Sequence, residues 1–464
     1  MEETTDSTMK LAAFAANFPE DQIPPQLLTL LPVYILDAMA AMLAGCTQPV
    51  FQSALSAVSR FYESGTCSSI VGTSVPLSGA ILLDGIAAGN FEFEHVIRNA
   101  HPASTIFPAL LVLASVNHCS GKDFVAAMAV GYELATRIGA ASTSAVESMQ
   151  GFHNPGLNGC LAAAGACCRL LGCDQETTAS AIGIAASSAA GLMAFANTGA
   201  MTKQLHPARA GQLGAEAALM AQAGIVGPKN VLENPKGFLN AFSPTPKPDL
   251  LTVDLGTTWT AAAMILKLSP VHAYAQTFVY AINVFRDSNG TWSASDIGKV
   301  TVNTGIGVLQ SSHLDPTPSS LVAAQYSIPF CIAAALATDL RDPLAMNNDL
   351  IKDQTVLAIS SAIKFNAVTN SPQELGGTLA ISIHAKDFII HAGKYPGSPG
   401  NPDYVAAAEK KYYKVVKALR IEHLGGLLKN QISAVREMED IGELRQSLIE
   451  AGKGAVENRL THSF

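Results

Sequence analysis

The chain has 464 residues, of which 48% are hydrophobic and only 14% are charged, with a formal net charge of −8. Globular domains average about 25% charged residues, so this composition predicts a large buried core and a buried subunit interface. Acids and bases are mixed without a run of lysine or arginine, which argues against nucleic-acid binding. The eight cysteines include no Cys-x-x-Cys pair, so we expect free thiols in a reducing compartment.

The N-terminal residues MEETTDSTMK are acidic and polar, unlike a secretory signal peptide or a mitochondrial presequence. The apolar stretch at 28–46 has almost the length of a membrane span, but it contains Pro32 and Asp37, and a charge at the centre of a bilayer is costly. We therefore predict a buried helix there, no membrane association and a cytoplasmic location.

Residues 1–265 carry apolar side chains at helical spacing in successive segments rich in Ala, Gly and Ser. These segments are 8–18, 27–46, 50–63, 77–90, 105–118, 122–140, 156–171, 176–196 and 208–224. The pattern changes after 265. DIGKVTVNTGI (296–306) and GGTLAISIHAKD (376–387) alternate as strands do, with helical stretches at 320–338 and 352–362 between them.

The Pro- and Gly-rich segment KYPGSPGNPDY (394–404) predicts a loop, and helical spacing returns at 404–419 and 435–451. The pattern predicts a mostly α protein with a large all-α helical domain and a smaller inserted α+β lid domain. The boundaries are 1–265 for the helical domain, 266–403 for the lid, and 404–464 for C-terminal helices that return to the helical domain.

Four short stretches place polar groups on otherwise apolar elements: NFEFEHVIRNAHP (90–102), GFHNPGLNG (151–159), MTKQLHPARAG (201–211) and ILKLSPVHAYAQ (265–276). Each side chain alone is more typical of a loop, a satisfied core histidine or a solvated helix end. The set, in a chain so poor in charge, predicts a cleft. Ammonium and imidazole groups that converge there would bind a di- or tricarboxylate, and a neutral histidine would move a proton on a carbon next to a carboxylate.

The Glu-x-Glu-His stretch, with a later histidine, offers plausible metal ligands. One strand or helix would not direct all of them to one point, so we expect no metal. The sequence contains no Walker loop, no Gly-x-Gly-x-x-Gly after a strand and no Gly-x-Ser-x-Gly turn. We expect no cofactor.

The motifs resemble the MmgE/PrpD family, whose members include 2-methylcitrate dehydratase, cis-aconitate decarboxylase and iminodisuccinate epimerase. The matching stretches follow in family order: VGTSVPLSGAILLDGIAAGNFEFEHV, AHPAS, GYELATRIG, GFHNPGLNG, AIGIAASSAAGL, TKQLHPARAGQLGAEAALMAQAG, LENPKGFLNAF, LKLSP, AAQYSIPF and PGSPGNP. The resemblance implies a helical domain with an α+β lid, a homodimer, and an active site between the domains without an organic cofactor. By position, His101, His153, Lys203 and Lys267 match residues that line the family pocket.

The stretch before His101 departs from the family pattern. Glu92 replaces the first Asp of the family's Asp-Phe-Asp-Asp, and Glu94 and His95 replace the acids that follow it. Val96 replaces the threonine of the decarboxylase. A buried Glu has a longer reach and a different pKa from Asp, which changes the geometry of any acid or base.

The lid motifs depart as well. Phe330 aligns with the lid tyrosine of the decarboxylase, Gln276 with a family histidine, and His272 appears where Cys or Ala is common. Because Val96 and Phe330 cannot hydrogen-bond a carboxylate, these changes favour an alkyl-substituted or largely hydrocarbon substrate, as in secondary metabolism.

The first hypothesis is therefore a lyase, or a related isomerase, with catalytic residues His101, Glu92 and His153. Glu92 would orient His101 or act as a second acid or base. Substrate would contact Lys203, Lys267, His272, Val96 and Phe330. The reaction that this hypothesis favours most is dehydration of an alkylated citrate-like acid, followed by isomerisation or epimerisation and then by decarboxylation.

A second hypothesis is an isomerase or pericyclase-type cyclase that acts on an apolar carbonyl compound, and a third is a non-enzymatic binding protein.

Overall fold

The computed structural model describes residues 6–97, 100–142, 151–290, 292–309, 313–369 and 375–461. Two compact units make up the chain. The first is Met1–Leu192, Thr202–Met264 and Leu419–Phe464, and the second is Met193–Met201 and Ile265–Ala418. The first unit is helical and the second mixes helices with a sheet, which confirms the predicted mostly α fold with a smaller α+β part.

The helices, in chain order, are α1 Ser7–Asn17, α2 Pro25–Gly45, α3 Pro49–Phe61, α4 Leu77–Gly89, α5 Pro102–Val116, α6 Gly121–Ser142, α7 Asn154–Leu170, α8 Gln175–Ala186, α9 Phe195–Thr198, α10 Thr202–Gln222, α11 Phe238–Phe242, α12 Gln276–Asn289, α13 Leu321–Tyr326, α14 Ile328–Ala337, α15 Gln354–Ala362, α16 Tyr404–Ala418, α17 Glu422–Ser433 and α18 Gly442–Thr461. The strands are β1 Cys67–Ser68, β2 Ser74–Val75, β3 Ile297–Gly305, β4 Lys364–Thr369, β5 Gly377–Ile383 and β6 Lys386–Ala392.

Small residues let the helices of the first unit approach closely. A Cβ added at Gly214 of α10 would lie 2.5 Å from the Cβ of Ala163 in α7, too close for a side chain. Among the described residues, α2 is long and apolar enough to span a bilayer, but 78% of its most apolar stretch is buried within the protein. This burial agrees with the prediction of a core helix.

A buried ion pair attaches the C-terminal helix α18 to α4. The Nη1 of Arg445 donates to Asp84 Oδ2 at 2.6 Å, and the backbone N–H of Ile70 donates to Asp84 Oδ1 at 2.8 Å. The Arg445 Nη2 also donates to the Ser68 carbonyl. Asp84 is fully buried and Arg445 nearly so, so water does not solvate their charges. These hydrogen bonds compensate for that loss of solvation.

The second unit contains a four-stranded sheet in the order β4-β3-β5-β6. β3 and β4 are parallel, whereas β3–β5 and β5–β6 are antiparallel, with Val302 opposite Leu379 and Leu379 opposite Ile390. The inward residues of the sheet join α12 and α14 in one apolar core.

Residues 376–387 were predicted as one strand, but they cover β5 and the start of β6. The turn between the two is formed by His384 and Ala385, with φ of 51° and 60°. Such two-residue hairpin turns are usually indicated by Asn-Gly or Asp-Gly, and a His-Ala pair carries no such signal.

The unit boundaries also differ from the predicted ones. Helix α16 was assigned to the returning C-terminal segment, but it belongs to the second unit, whose last residue is Ala418. Its buried Tyr412 and Val415 supply the reason, because an amphipathic helix follows the surface that covers its apolar face. Residues 193–201 were likewise assigned to the helical domain, but they belong to the second unit.

We expect Arg445→Met to lower the free energy of unfolding by about 3–5 kcal/mol, because the variant leaves Asp84 buried without its cation. Urea unfolding followed by circular dichroism measures the change. The control is Lys229→Met, which removes an exposed pair with Glu176 and should change stability by about 1 kcal/mol or less. Equal effects of the two substitutions would contradict the role given to Asp84.

Candidate active site

The first group of candidate residues lies on the irregular segment between α4 and α5. Ile97 and Ala100 exchange two backbone hydrogen bonds, of 3.0 and 2.8 Å, and so close a turn immediately before His101. His101 then stands directly before the first residue of α5, Pro102, which is well suited to the first turn of a helix. Arg98, part of the charged cluster in the sequence, lies outside the described residues.

Glu94 holds the ring of His101. Its Oε1 lies 2.8 Å from His101 Nδ1, and the side chains of Glu94 and His101 are 1% and 16% exposed. A buried carboxylate at Nδ1 fixes the orientation of the imidazole, and it stabilises the imidazolium form with Nε2 on the opposite side of the ring. The sequence analysis gave Glu92 either this orienting role or the role of a second acid or base, and in the structure Glu94 is the carboxylate that contacts the His101 ring.

Glu92 instead forms a buried ion pair with Lys203, in the first turn of α10. Both side chains are 2% exposed. The backbone of Glu92 is left-handed, with φ of 51°, which turns its side chain away from the direction that an extended chain would give it. The pair is electrically neutral, so Lys203 brings a hydrogen-bond donor to this region without a net positive charge.

His153 and His206 form a second imidazole pair. Their Nδ1 atoms are 3.2 Å apart and their ring centroids 5.2 Å apart. One Nδ1 must donate and the other accept, so the two rings cannot both be protonated at Nδ1 in this arrangement. Burial lowers the pKa of His153 well below its ordinary value, and His101 and His206 lower it further against the opposing effect of Glu94. Burial and Lys203 lower the pKa of His206.

Two glycines make room for this imidazole pair. Gly191 has φ of 142°, and a Cβ there would lie 3.1 Å from the His206 ring. A Cβ at Gly156 would lie 2.4 Å from the Ala190 carbonyl oxygen. The backbone N–H of His153 donates to the Gly191 carbonyl at 3.0 Å. The chain after α8 therefore passes close to the His206 ring, and α8 ends at Ala186, before this contact, and not at the predicted residue 196.

Four of the predicted site residues thus lie in one neighbourhood of the first unit. The His101 and His153 ring centroids are 6.4 Å apart, and Lys203, paired with Glu92, is close enough to His206 to lower its pKa. His206, which the sequence analysis quoted without giving it a role, is part of the same group. Its signal in the sequence was its spacing, because residues three apart on a helix, such as Lys203 and His206, lie on the same face.

His95 is a core histidine and not a member of this group. Its Nδ1 lies 3.0 Å from Asp37 and its Nε2 lies 3.0 Å from the Tyr132 hydroxyl, and the residue is fully buried. Val96 beside it is also buried, at 4% exposure. Within the described parts of the chain, no group of three or more His, Cys, Asp or Glu side chains has an arrangement that would hold a metal ion.

The second unit carries Lys267 and His272 on the loop that precedes α12. Lys267 is buried. The side chain of Gln276 holds the loop after Lys267: its Oε1 accepts from the N–H groups of Leu268 and Ser269, at 3.0 and 3.3 Å. Its Nε2 donates to the carbonyls of Ser269 and Val271, at 2.7 and 2.8 Å. Gln276 therefore has a structural role where the family has a histidine.

His272 belongs to a cluster of rings that the sequence did not reveal. Its ring centroid lies 4.6 Å from that of His313 and 4.7 Å from that of Tyr326. Burial lowers the pKa of His313 to about 4, so this histidine is neutral at physiological pH. Phe330, the predicted lid contact, is instead fully buried in the apolar core of the second unit. Tyr326, four residues earlier, contacts the His272 ring, as does Tyr274.

Comparison with known proteins places these residues in a family context. A family model described as the MmgE/PrpD N-terminal domain matches residues 9–251, a range that includes His101, His153 and Lys203. A cis-aconitate decarboxylase-like protein of Aspergillus oryzae is 33% identical over 373 residues, which cover 74% of this chain and 77% of that protein. Cis-aconitate decarboxylase of Aspergillus terreus is 28% identical over 352 residues, 71% of each chain. The human cis-aconitate decarboxylase is 33% identical over 233 residues, 48% of each chain.

We expect the lowered pKa of His153 to make the protein less stable as the pH falls below the ordinary histidine pKa of 6.5. At these pH values His153 takes up a proton in the unfolded chain but stays neutral in the folded protein. This difference lowers the free energy of unfolding by up to about 1.4 kcal/mol per pH unit. Urea unfolding at pH 6.5 and 5.5 should show a smaller pH dependence in His153→Gln than in the wild type. The exposed His423, changed to Gln, is the control and should leave the pH dependence as it is. Equal slopes for wild type and His153→Gln would refute the neutral state of His153.

Proposed function

The chain belongs to the MmgE/PrpD family, and from that membership we propose that it is a lyase that acts on a small polycarboxylate by moving a proton at a carbon next to a carboxylate. The relatives described above are named as decarboxylases of cis-aconitate or as similar to them. They support decarboxylation as the leading reaction, ahead of the dehydration that the sequence alone favoured.

The Glu94–His101 hydrogen bond carries this proposal. A buried carboxylate at Nδ1 stabilises the imidazolium form, and an imidazolium is a proton donor near neutral pH. His153 is neutral, since burial and the two neighbouring histidines lower its pKa. His101 and His153 thus offer a proton donor and a neutral imidazole whose ring centroids are 6.4 Å apart.

The chemistry of an alkene tricarboxylate requires such a donor. One carboxylate lies on a carbon next to the double bond, and it leaves as carbon dioxide when its carbon–carbon bond breaks. The electron pair of that bond forms a new double bond, and the old double bond takes up a proton at its far carbon. In the proposed reaction His101 delivers that proton, and solvent returns one to it after the product leaves.

The names of the relatives favour a compact polycarboxylate over a largely hydrocarbon substrate. The sequence argument for an apolar substrate rested on Val96 and Phe330, which are buried, as Lys203 and Lys267 are, so burial does not separate the two substrate classes. Lys203 keeps its predicted role as a donor to a substrate carboxylate, with Glu92 holding its ammonium group. Lys267 and His272, on the second unit, stay predicted substrate contacts.

Dehydration is the second candidate, and the neutral state of His153 favours it. Loss of water from a citrate-like acid needs a base that removes a proton from carbon and an acid that protonates the leaving hydroxyl. His153 and His101, with ring centroids 6.4 Å apart, could divide these roles. Proton NMR distinguishes the two reactions, because only decarboxylation shortens the carbon skeleton.

We expect His101→Gln to lower the turnover of cis-aconitate by about two to four orders of magnitude, as is typical for loss of a general acid. Proton NMR in D₂O measures turnover and also shows deuterium at the carbon that receives the proton. The control is His118→Gln, because the His118 side chain is 78% exposed. Near-full activity of His101→Gln would remove His101 from the mechanism.

We expect Glu94→Gln to lower kcat about tenfold or more and to move the fall in activity at high pH toward lower pH. Glutamine still fills the space but carries no charge, so the imidazolium form of His101 loses its stabilising partner. The pH dependence of kcat measures the shift. A lower kcat with an unchanged pH profile would mean that Glu94 contributes to packing only.

A further inference from the structure

Two cysteines lie together at the C-terminal end of α7. The backbone N–H of Cys173 donates to the Cys168 carbonyl at 3.0 Å, and that of Gly172 donates to the Arg169 carbonyl at 3.3 Å. Gly172 has left-handed backbone, with φ of 67°. These features define the Schellman motif, in which the residue after the glycine contacts the residue five positions before it. Here those two residues are Cys173 and Cys168.

The two thiols of this pair interact with each other. Hydrogen bonding with Cys168 lowers the pKa of Cys173, against the opposing effects of burial and Asp174, and the same interaction raises the pKa of Cys168. A disulfide joins cysteines whose Cα atoms are about 4.4–6.8 Å apart and whose side chains face each other. The backbone hydrogen bond keeps the two Cα atoms close, and the thiol contact means that the side chains face each other.

Cys173 is the member of the pair that a small solute can reach. It is 8% exposed, whereas Cys168 is fully buried. The turn faces solvent, because Gly172 and Asp174 are exposed and a Cβ added at Gly172 would have no atom within 4 Å. The thiolate is the reactive form of cysteine, and the lowered pKa gives Cys173 a larger thiolate fraction.

We propose that Cys168 and Cys173 are a redox site, at which hydrogen peroxide produces a reversible disulfide. The Cys173 thiolate attacks one peroxide oxygen and the O–O bond breaks. The hydroxide that leaves takes up the proton that Cys173 lost, which gives a sulfenic acid and water. The Cys168 sulfur then attacks the Cys173 sulfur, the S–O bond breaks, and the Cys168 proton leaves with the hydroxide as a second water. The two thiols thus lose two electrons and two protons, and one hydrogen peroxide becomes two waters.

Cys167 is the neighbouring thiol that could compete for Cys173. Adjacent side chains on a helix point about 100° apart, since the helix has about 3.6 residues per turn. Cys167 and Cys168 therefore cannot both face Cys173. Cys167 is fully buried, and burial together with repulsion from Cys173 raises its pKa to about 12. It therefore stays a thiol in the proposed step and provides a matched control.

The disulfide would fix the connection between two helices of the first unit. Cys173 directly precedes Asp174, whose Oδ1 accepts from the Thr177 N–H at 2.8 Å and so caps the start of α8. The bond would join the last turn of α7 to this cap. Its formation is independent of the proposed reaction, so the test needs no substrate.

The test treats the reduced full-length protein with hydrogen peroxide, blocks the remaining thiols with N-ethylmaleimide in denaturant, and digests the product with trypsin. Trypsin cuts after Arg169, between the two cysteines, so a disulfide would hold peptides 138–169 and 170–203 together. Peptide 170–203 contains Cys173 as its single cysteine. We expect mass spectrometry to show the linked peptides, fragmentation to assign the bond to Cys168, and dithiothreitol to separate them. The partly exposed Cys119 reports whether the peroxide dose was sufficient.

Two variants identify the partner of Cys173. Cys168→Ala should lower the yield of linked peptides at least tenfold and leave Cys173 to oxidise to the sulfinic acid. Cys167→Ala, next to it and equally buried, should keep the yield of the wild type. If Cys168→Ala folds poorly, fragmentation of the linked wild-type peptides still assigns the bond. A Cys173 that stays a thiol while Cys119 is oxidised, a wild-type bond through Cys160 or Cys167, or an unchanged yield in Cys168→Ala would overturn the proposal.

Discussion

The hydrogen bond between Glu94 and His101, 2.8 Å long and almost fully enclosed, sets the chemistry available to the candidate site. Its strength depends on the surroundings, because a charge pair in a region of low dielectric interacts much more strongly than one in water. Only 14% of the residues are charged, so few other groups compete with this pair. The surrounding apolar helices thus strengthen the interaction between this carboxylate and this ring.

The same apolar surroundings keep the neighbouring His153 neutral, because burial lowers its pKa. His153 also shares its Nδ1 contact with His206, and a positive charge on His153 would be repelled by its imidazole neighbours. This contact depends on the close approach permitted by Gly191, whose backbone passes over the His206 ring.

The sequence predicted the features that follow from periodicity and from motif order. The predicted mostly α fold with a smaller α+β part agrees with the structure, and the structure brings the His101 and His153 rings within 6.4 Å of each other. The sequence analysis named Glu92 as the partner of His101, because Glu92 and Glu94 are equivalent in a pattern of residue types, whereas in the structure Glu94 contacts the His101 ring. Only the left-handed backbone at Glu92 shows which of them turns toward Lys203. Such a conformation is rare for a glutamate and leaves no sign in the sequence.

The lid positions show what an alignment leaves out. An alignment assumes that a position keeps its environment, but Phe330 lies in the apolar core, while Tyr326, four residues earlier and in the preceding helix, contacts the His272 ring. At Gln276 an amide satisfies four backbone groups of one loop, a task that a single imidazole, with two ring nitrogens, cannot perform. An amide also adds no charge to this buried loop, which suits a chain in which only 14% of the residues are charged.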